Sequence, residues 1–273
     1  MEGLSFKLLN HLKTLSETCP KHPNVHMKQL LDKKPFCPQC SQEEIDSKNI
    51  DISMSGIEMN YEDGFHGVLM RRSIWDDPEM KLATFENYDV DQDSEAYENK
   101  QLARKLAGRY LDRSYKANTI LTGVPGVGKT HLAVSMVKAV NENIAPSTHC
   151  LFVSVNEMVR QVKQSFNDKS SRFTESYVTR LCGSVNLLVL DDLGSEASFK
   201  SKSNEASDWV QQLLFGILNK RSGRTIITTN LNSEQLTTIY NPKILSRIYR
   251  GVEKANGIIK FTEATADKRK DLF

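Results

Sequence analysis

The chain has 273 residues, with 36 Lys or Arg against 34 Asp or Glu, and 39% of its residues are hydrophobic. That length accommodates one large domain beside a smaller one, and the absence of any twenty-residue apolar run excludes a helical membrane span. The net charge of +2 hides three blocks: residues 1–40 carry six basic and three acidic side chains, residues 41–98 four and sixteen, and residues 99–273 26 and 15.

At the N-terminus, "MEGLSFKLLNHLKTLSETC" interrupts its apolar positions with Lys7, Asn10, His11 and Lys13, so it lacks the continuous apolar core of a signal peptide. Phe6, Leu9, Leu12 and Leu15 recur at helical spacing and predict a short amphipathic helix. A cytoplasmic location is expected, where thiols stay reduced and paired cysteines hold metal. Cys19 with His22, then Cys37 with Cys40, are two such pairs, each with a proline after its first cysteine to favour a turn. Zinc takes four such ligands in a tetrahedron, and pairs two residues apart supply two each. His26 is a competing ligand. Four protein ligands leave no open position for water, so the site is predicted to be structural. Residues 1–45 are therefore expected to form a small Zn²⁺-dependent module that presents a surface to a partner. Residues 46–84, acidic and weakly periodic, predict a linker, and residues 85–273 a second domain.

That second domain carries the clearest motif, "TILTGVPGVGKTHLAVSMVKAV". A short buried strand leads into G-x-x-x-x-G-K-T over Gly123–Thr130, and helical apolar spacing follows. This context makes the loop a phosphate cradle for ATP or ADP. Gly123, Val124, Pro125, Gly126, Val127 and Gly128 supply the loop backbone. Lys129 reaches the β and γ oxygens, Thr130 offers its hydroxyl to Mg²⁺, and His131 completes the stretch.

A continuous apolar run in "NLLVLDDLG" predicts a parallel strand buried on both faces, with Asp191 at its end for Mg²⁺ and Asp192 to orient and deprotonate the attacking water. A third strand, "RTIITTN", ends in Asn230, placed to sense the γ-phosphate. Strands at 119–122, 150–155, 187–191, 225–229 and 257–262, separated by helical segments, predict an α/β fold with a five-stranded parallel sheet. Between the second and third of these strands, residues 160–182 hold five basic and two acidic side chains. Phe199 follows in a polar loop beside Lys200. The excess of basic residues across 99–273 points to a polyanionic partner, although an ordinary basic surface gives the same count.

In order and spacing, "GVPGVGKTHLA", "LLVLDDLG", "IITTN" and "ILSRIYRG" resemble the AAA+ ATPases of bacterial and phage replicative helicase loaders, the DnaC/DnaI type. The likeness covers about residues 85–262, starting at "TFENYDVD", and the zinc pattern extends it, because DnaI-type loaders carry an N-terminal zinc domain that docks on the helicase. The resemblance implies an AAA+ P-loop ATPase core. With eleven residues after "GIIKFT", neither a C-terminal lid nor a helix-turn-helix is expected. It further implies a hexameric replicative DNA helicase and single-stranded DNA as partners, with further copies of the chain joined head to tail. Arg247 matches the family's arginine finger, with Arg250 as understudy. Initiator-type relatives line a DNA path with a helical insertion where Arg160, Lys163, Phe166 and Arg172 fall, and Phe199 and Lys200 are further contact candidates. Phe166 reads equally well as a core residue. The alternative is a transposition helper of the IstB type, which shares this core and acts on double-stranded DNA; the zinc module favours the loader.

Overall fold

The computed structural model describes residues 12–44, 64–168, 170–198, 207–221 and 223–265. The chain divides into two units, Met1–Tyr61 and Glu62–Phe273.

In the first unit, β1 (Leu12–Thr18) and β2 (His26–Leu30) form an antiparallel hairpin with Leu12 opposite Leu30. Lys28 bridges Phe36, and a short helix covers residues 38–44. The helix expected through Leu12 and Leu15 is therefore a strand at those positions, while Phe6 and Leu9 lie outside the described residues. The three-residue spacing of the leucines suits a helix, but pairing with β2 satisfies the same backbone groups, and Thr14 and Thr18 are β-branched. Cys19 and Cys37 are the buried apolar residues described in this unit. So thin a core needs another source of stability.

The second unit comprises α1 (64–72), α2 (Glu95–Tyr110), β3 (Thr119–Gly123), α3 (Lys129–Asn143), β4 (Cys150–Ser154), α4 (Val155–Ser165), α5 (Glu175–Ser184), β5 (Leu187–Asp191), α6 (Ser195–Ser198), α7 (Asp208–Asn219), β6 (Thr225–Thr229), α8 (Ser233–Ile239), α9 (Pro242–Ile248) and β7 (Ile258–Phe261). The five strands are parallel in the order β4-β5-β6-β3-β7. Strands β4, β5 and β6 are buried throughout, which explains the uninterrupted apolar runs Cys150–Val153 and Leu187–Leu190 in the first two. One face packs on α2 and α3, the other on α4, α5 and α7–α9. From β3 the chain crosses to β4 at the far edge, so the strand order reverses beside β3 and opens a crevice at the C-terminal strand ends.

The linker expected over 46–84 is shorter than predicted, because residues 64–84 fold into this unit. Ile74 extends the sheet edge: its N–H donates to Phe152 O at 2.9 Å, and Ser154 N–H donates to Ile74 O at 2.9 Å. Trp75 stacks on Phe152 at 4.2 Å, and Leu69, Ile74 and Ala83 are buried. The acidic count of the segment concealed these few apolar anchors.

Candidate functional site: a phosphate loop and a four-ligand cluster

The loop between β3 and α3 turns on glycines with left-handed backbone. Gly123 has φ 140° and Gly128 has φ 88°. A Cβ on Gly123 would fall 2.1 Å from Phe261 O, and one on Gly128 would fall 2.5 Å from the Tyr88 ring. Only glycine lets the loop close this tightly. Val127 is buried in the core and anchors the loop, while Val124 and Pro125 are exposed at its outer rim. Lys129 lies across the loop, with Nζ donating to Gly123 O at 2.8 Å and Val124 O at 2.6 Å. Lys129, Thr130 and His131 in the first turn of α3 line the same concavity, and a helix N-terminus suits phosphate because its first N–H groups have no acceptor within the helix.

Next to the loop, Thr228 Oγ1 on β6 donates to Asp191 Oδ1 at 2.6 Å and accepts from Asp192 N–H at 2.8 Å. Burial pushes the Asp191 carboxyl up to about 7 against the opposing hydrogen bonds from Thr228 and Thr130. Thr130 and Asp191, the two Mg²⁺-ligand candidates, are therefore in contact. Asp192 has φ 57°, and its Oδ1 accepts from Asn230 Nδ2 at 3.0 Å. Strand β6 lies between β5 and β3, so the tip of β6 sits between the carboxylates and the loop.

Loop, carboxylates and Asn230 line one open cleft of about 450 Å³. Asp76, Asp77 and Met80 line it too, and the sequence reading missed them because they fall in the presumed linker. Tyr88 was also missed; its hydroxyl donates to Val127 O at 2.9 Å and props the loop from beneath. His131 lines the cleft, and its Nε2 lies 2.9 Å from both Thr84 O and Asn87 Oδ1. It thus joins the loop to the segment ahead of the core.

The remaining candidates lie elsewhere. Arg247 on α9 donates through Nη2 to Asn219 Oδ1 at 3.0 Å and sits 5.1 Å over the Phe215 ring. It is absent from the cleft lining of its own chain. Arg250 is tied to Arg221 O. Phe166 is 60% exposed, which sets aside the core reading; it meets Trp209 edge-on at 5.4 Å, with Lys163 5.9 Å over the same indole. Trp209 was not anticipated. Arg160 is engaged by Glu157 at 2.5 Å in an exposed pair, and Arg172 lies 5.1 Å over Phe173. Phe199 and Lys200 lie outside the described residues.

In the first unit Cys19, His22, Cys37 and Cys40 bring their ligand atoms within 4.8 Å of one another. Zinc bonds of about 2.3 Å to sulfur and about 2.0–2.1 Å to nitrogen put tetrahedral S···S and S···N separations at about 3.8 and about 3.6 Å. Cys19 and Cys40 Sγ are 3.6 Å apart, and His22 Nδ1 lies 3.9, 3.6 and 3.3 Å from Cys19, Cys37 and Cys40. The four residues fit the ion. His26 is not among them. Glu43 Oε1 lies 2.9 Å from His22 Nε2, the arrangement that orients a metal-binding imidazole from its far side.

A glycine loop at the tip of a central parallel strand, with carboxylates at the tip of a strand on the far side of β6, defines a P-loop nucleotide-binding core with the AAA+ fold. The chain belongs to the IstB-like ATP binding protein family, which matches residues 77–249. It is 28% identical over 174 residues to the uncharacterized protein YdaV of Escherichia coli (strain K12), covering 63% of each chain. With the replicative helicase loader DnaC of the same strain it shares 26% identity over 179 residues, covering 64% of this chain and 66% of that protein. The match thus spans a little under two thirds of either relative. The crystal structure of the DnaC helicase loader superposes with a TM-score of 0.52 at 22% identity, covering 68% of this chain and 99% of that one. That of DnaI gives 0.51 at 24%, covering 64% and 91%. These two likenesses establish the fold. No helix among the described residues is long and apolar enough to cross a membrane.

Proposed function

We propose that this chain is an ATP-dependent loader that binds a hexameric replicative DNA helicase and delivers it onto single-stranded DNA. The observation that carries this reading is the relationship to DnaC, described as a replicative helicase loader, across the ATPase unit. In this reading Lys129 and the loop amides hold the phosphates, Thr130 and Asp191 would hold Mg²⁺, which would neutralise phosphate charge, and Asp192 takes the proton of the attacking water while Asn230 fixes its carboxylate. Arg247 serves a neighbouring copy in a head-to-tail assembly. The Cys/His module over 1–45 holds zinc and docks on the helicase, joined through residues around 45–63, and the domain from 64 onward is the ATPase. Arg160, Lys163, Phe166 and Trp209 form the strand-contacting face.

The test is a pull-down of the helicase from the same cell by the full chain, with ATP present and absent. Stoichiometric capture that a Cys37→Ser/Cys40→Ser variant loses supports the loader. Failure to capture the helicase, together with tighter binding to duplex than to single strands, supports the transposition-helper reading instead.

A further inference from the structure

Four basic side chains converge at the pole of the sheet opposite the nucleotide cleft. Lys116, His149, Asn186 and Arg224 immediately precede or lie just ahead of β3, β4, β5 and β6, and with Lys220 and Arg221 they line one open pocket of about 240 Å³. Among the described residues no acidic side chain lines it.

In a parallel α/β sheet this pole receives helix C-termini, each carrying roughly −0.5 charge. Here α2, α3, α5, α7 and α9 end at it, about −2.5 together. Two buried guanidiniums answer them. Arg221 donates to Cys182 O and Val185 O at 2.6 and 2.9 Å, and Arg224 to Tyr110 O and Asp112 O at 2.6 and 2.7 Å. They offset most of the helix-end charge. Lys116 and Lys220 are additional, both exposed, which leaves a surplus of about +1.5 by the same count. No ion pair among the described residues involves any of the four cations. Asp112, which bears electrostatically on Arg224, turns its carboxylate to Ser114.

A second observation is independent of the charge count. Arg224 is 2% exposed, and its Nε has no hydrogen-bond partner among the described residues. A buried donor on a cation without an acceptor calls for one from outside. We propose that this pocket is a second anion site, separate from the nucleotide cleft, that takes a phosphate group, either free phosphate or a phosphodiester of a nucleic-acid strand. The multiple donors and the volume suit a polyoxygen anion better than a halide, and the all-positive lining rejects cations.

The experiment uses the full chain with its cleft saturated by ATPγS and Mg²⁺, so that added phosphate cannot report on the P-loop. Binding of inorganic phosphate is followed by calorimetry, and binding of a short oligothymidylate by anisotropy across a salt series. The variants are Lys116→Ala/Lys220→Ala, which spares the two structural arginines, Lys116→Arg/Lys220→Arg as rescue, and Lys105→Ala/Lys254→Ala as a charge-matched control. Loss of at least tenfold in phosphate affinity in the first variant alone assigns the site to free phosphate. A log–log salt slope for oligothymidylate smaller by about 1.4 assigns it to the strand backbone. Equal behaviour of wild type and variant in both arms, or an equal loss in the control pair, overturns the proposal.

Discussion

Asn230 and Asp192 join the tips of two neighbouring strands through one hydrogen bond, Nδ2 to Oδ1 at 3.0 Å. The bond holds a carboxylate that stands in left-handed backbone, a conformation that local sequence alone would not favour for aspartate. In the proposed function, Asn230 thereby fixes where Asp192 can meet a water above the loop. Asp192→Asn should keep nucleotide affinity and lose turnover by about 10²–10⁴, the usual range for a general base. Asn230→Ala should lose less, and the double variant should fall no further than Asp192→Asn, since both act through one carboxylate. Lys129→Ala should instead abolish binding. Additive losses in turnover would show that the two residues act separately.

Tyr88 sets the shape of the loop from outside the motif. Its hydroxyl bonds Val127 O, and its ring fills the space beside Gly128. Tyr88→Phe should cost about 1 kcal/mol of stability, the net worth of one such hydrogen bond. Gly128→Ala should do more damage, because its methyl meets the ring and alanine resists φ 88°. Urea unfolding without nucleotide, paired with titration of a fluorescent ATP analogue, separates the two effects. An alanine variant that binds the analogue as tightly as wild type would remove Tyr88 and Gly128 from the cradle.

How much of this was readable beforehand depended on whether the determinant was local. Leu187–Leu190 reads as a buried parallel strand because burial on both faces leaves a continuous apolar run, and the G-K-T turn declares itself because its backbone admits few residues. The Cys and His spacing reads as a tetrahedron for the same reason. Asp76, Asp77 and Met80 were not readable, because what brings them to the cleft is the pairing of Ile74 with β4, some 79 residues downstream. An acidic composition pointed the other way, although Leu69, Ile74, Trp75 and Phe85 together were a usable signal. Leu12 and Leu15 misled in the opposite sense, since their spacing suited a helix and their partner strand lay further on. For Phe166, periodicity could not decide exposure; Trp209, which shares its patch, comes from a helix 43 residues later.

Glu196 offers a test in pH. Burial raises its carboxyl above the ordinary range, opposed by hydrogen bonds from Tyr240 Oη and from Gly194 N–H. The folded chain therefore holds this proton more tightly than the unfolded chain, so its contribution is most favourable below the ordinary carboxylate value and declines as pH rises through the raised one. Tyr240→Phe removes a donor that supports the charged form. Its destabilisation should be larger at pH 8 than at pH 5, whereas Glu196→Gln should flatten the difference. Chemical denaturation at the two pH values decides this, and a Tyr240→Phe cost independent of pH would contradict it.

The Cys/His cluster should hold its unit together. With two buried cysteines as its described apolar core, removal of zinc by a chelator should unfold residues 12–44 while the second unit keeps its nucleotide affinity. Glu43→Gln should weaken zinc about 10–100-fold by freeing the His22 ring. Zinc release read with a chromogenic chelator, alongside circular dichroism of the same samples, provides the check. Retention of the hairpin in the metal-free protein would show that the cluster does not support the fold.

Arg247 lies outside the cleft of its own chain and is held on α7 by Asn219 and Phe215. The guanidinium is partly exposed there, and its planar fork suits a phosphate better than a lysine would. If it completes the cleft of a neighbour, the contact is head to tail and propagates as a ring or spiral instead of closing as a two-fold dimer. Arg247→Ala should then leave ATP binding intact, lower hydrolysis by about 10³–10⁵, and weaken nucleotide-driven assembly. Asn219→Ala should produce a smaller loss of hydrolysis by releasing the arginine, with binding again unchanged. The decisive measurement mixes Arg247→Ala with Lys129→Ala protein. Each should be inactive alone, one lacking the expected finger and the other the phosphate lysine, but some mixed interfaces would pair an intact loop with an intact arginine. Recovered ATPase activity that rises with the mixing ratio supports a residue acting between chains. Absence of recovery in mixtures shown by crosslinking to co-assemble returns Arg247 to a structural role on α9.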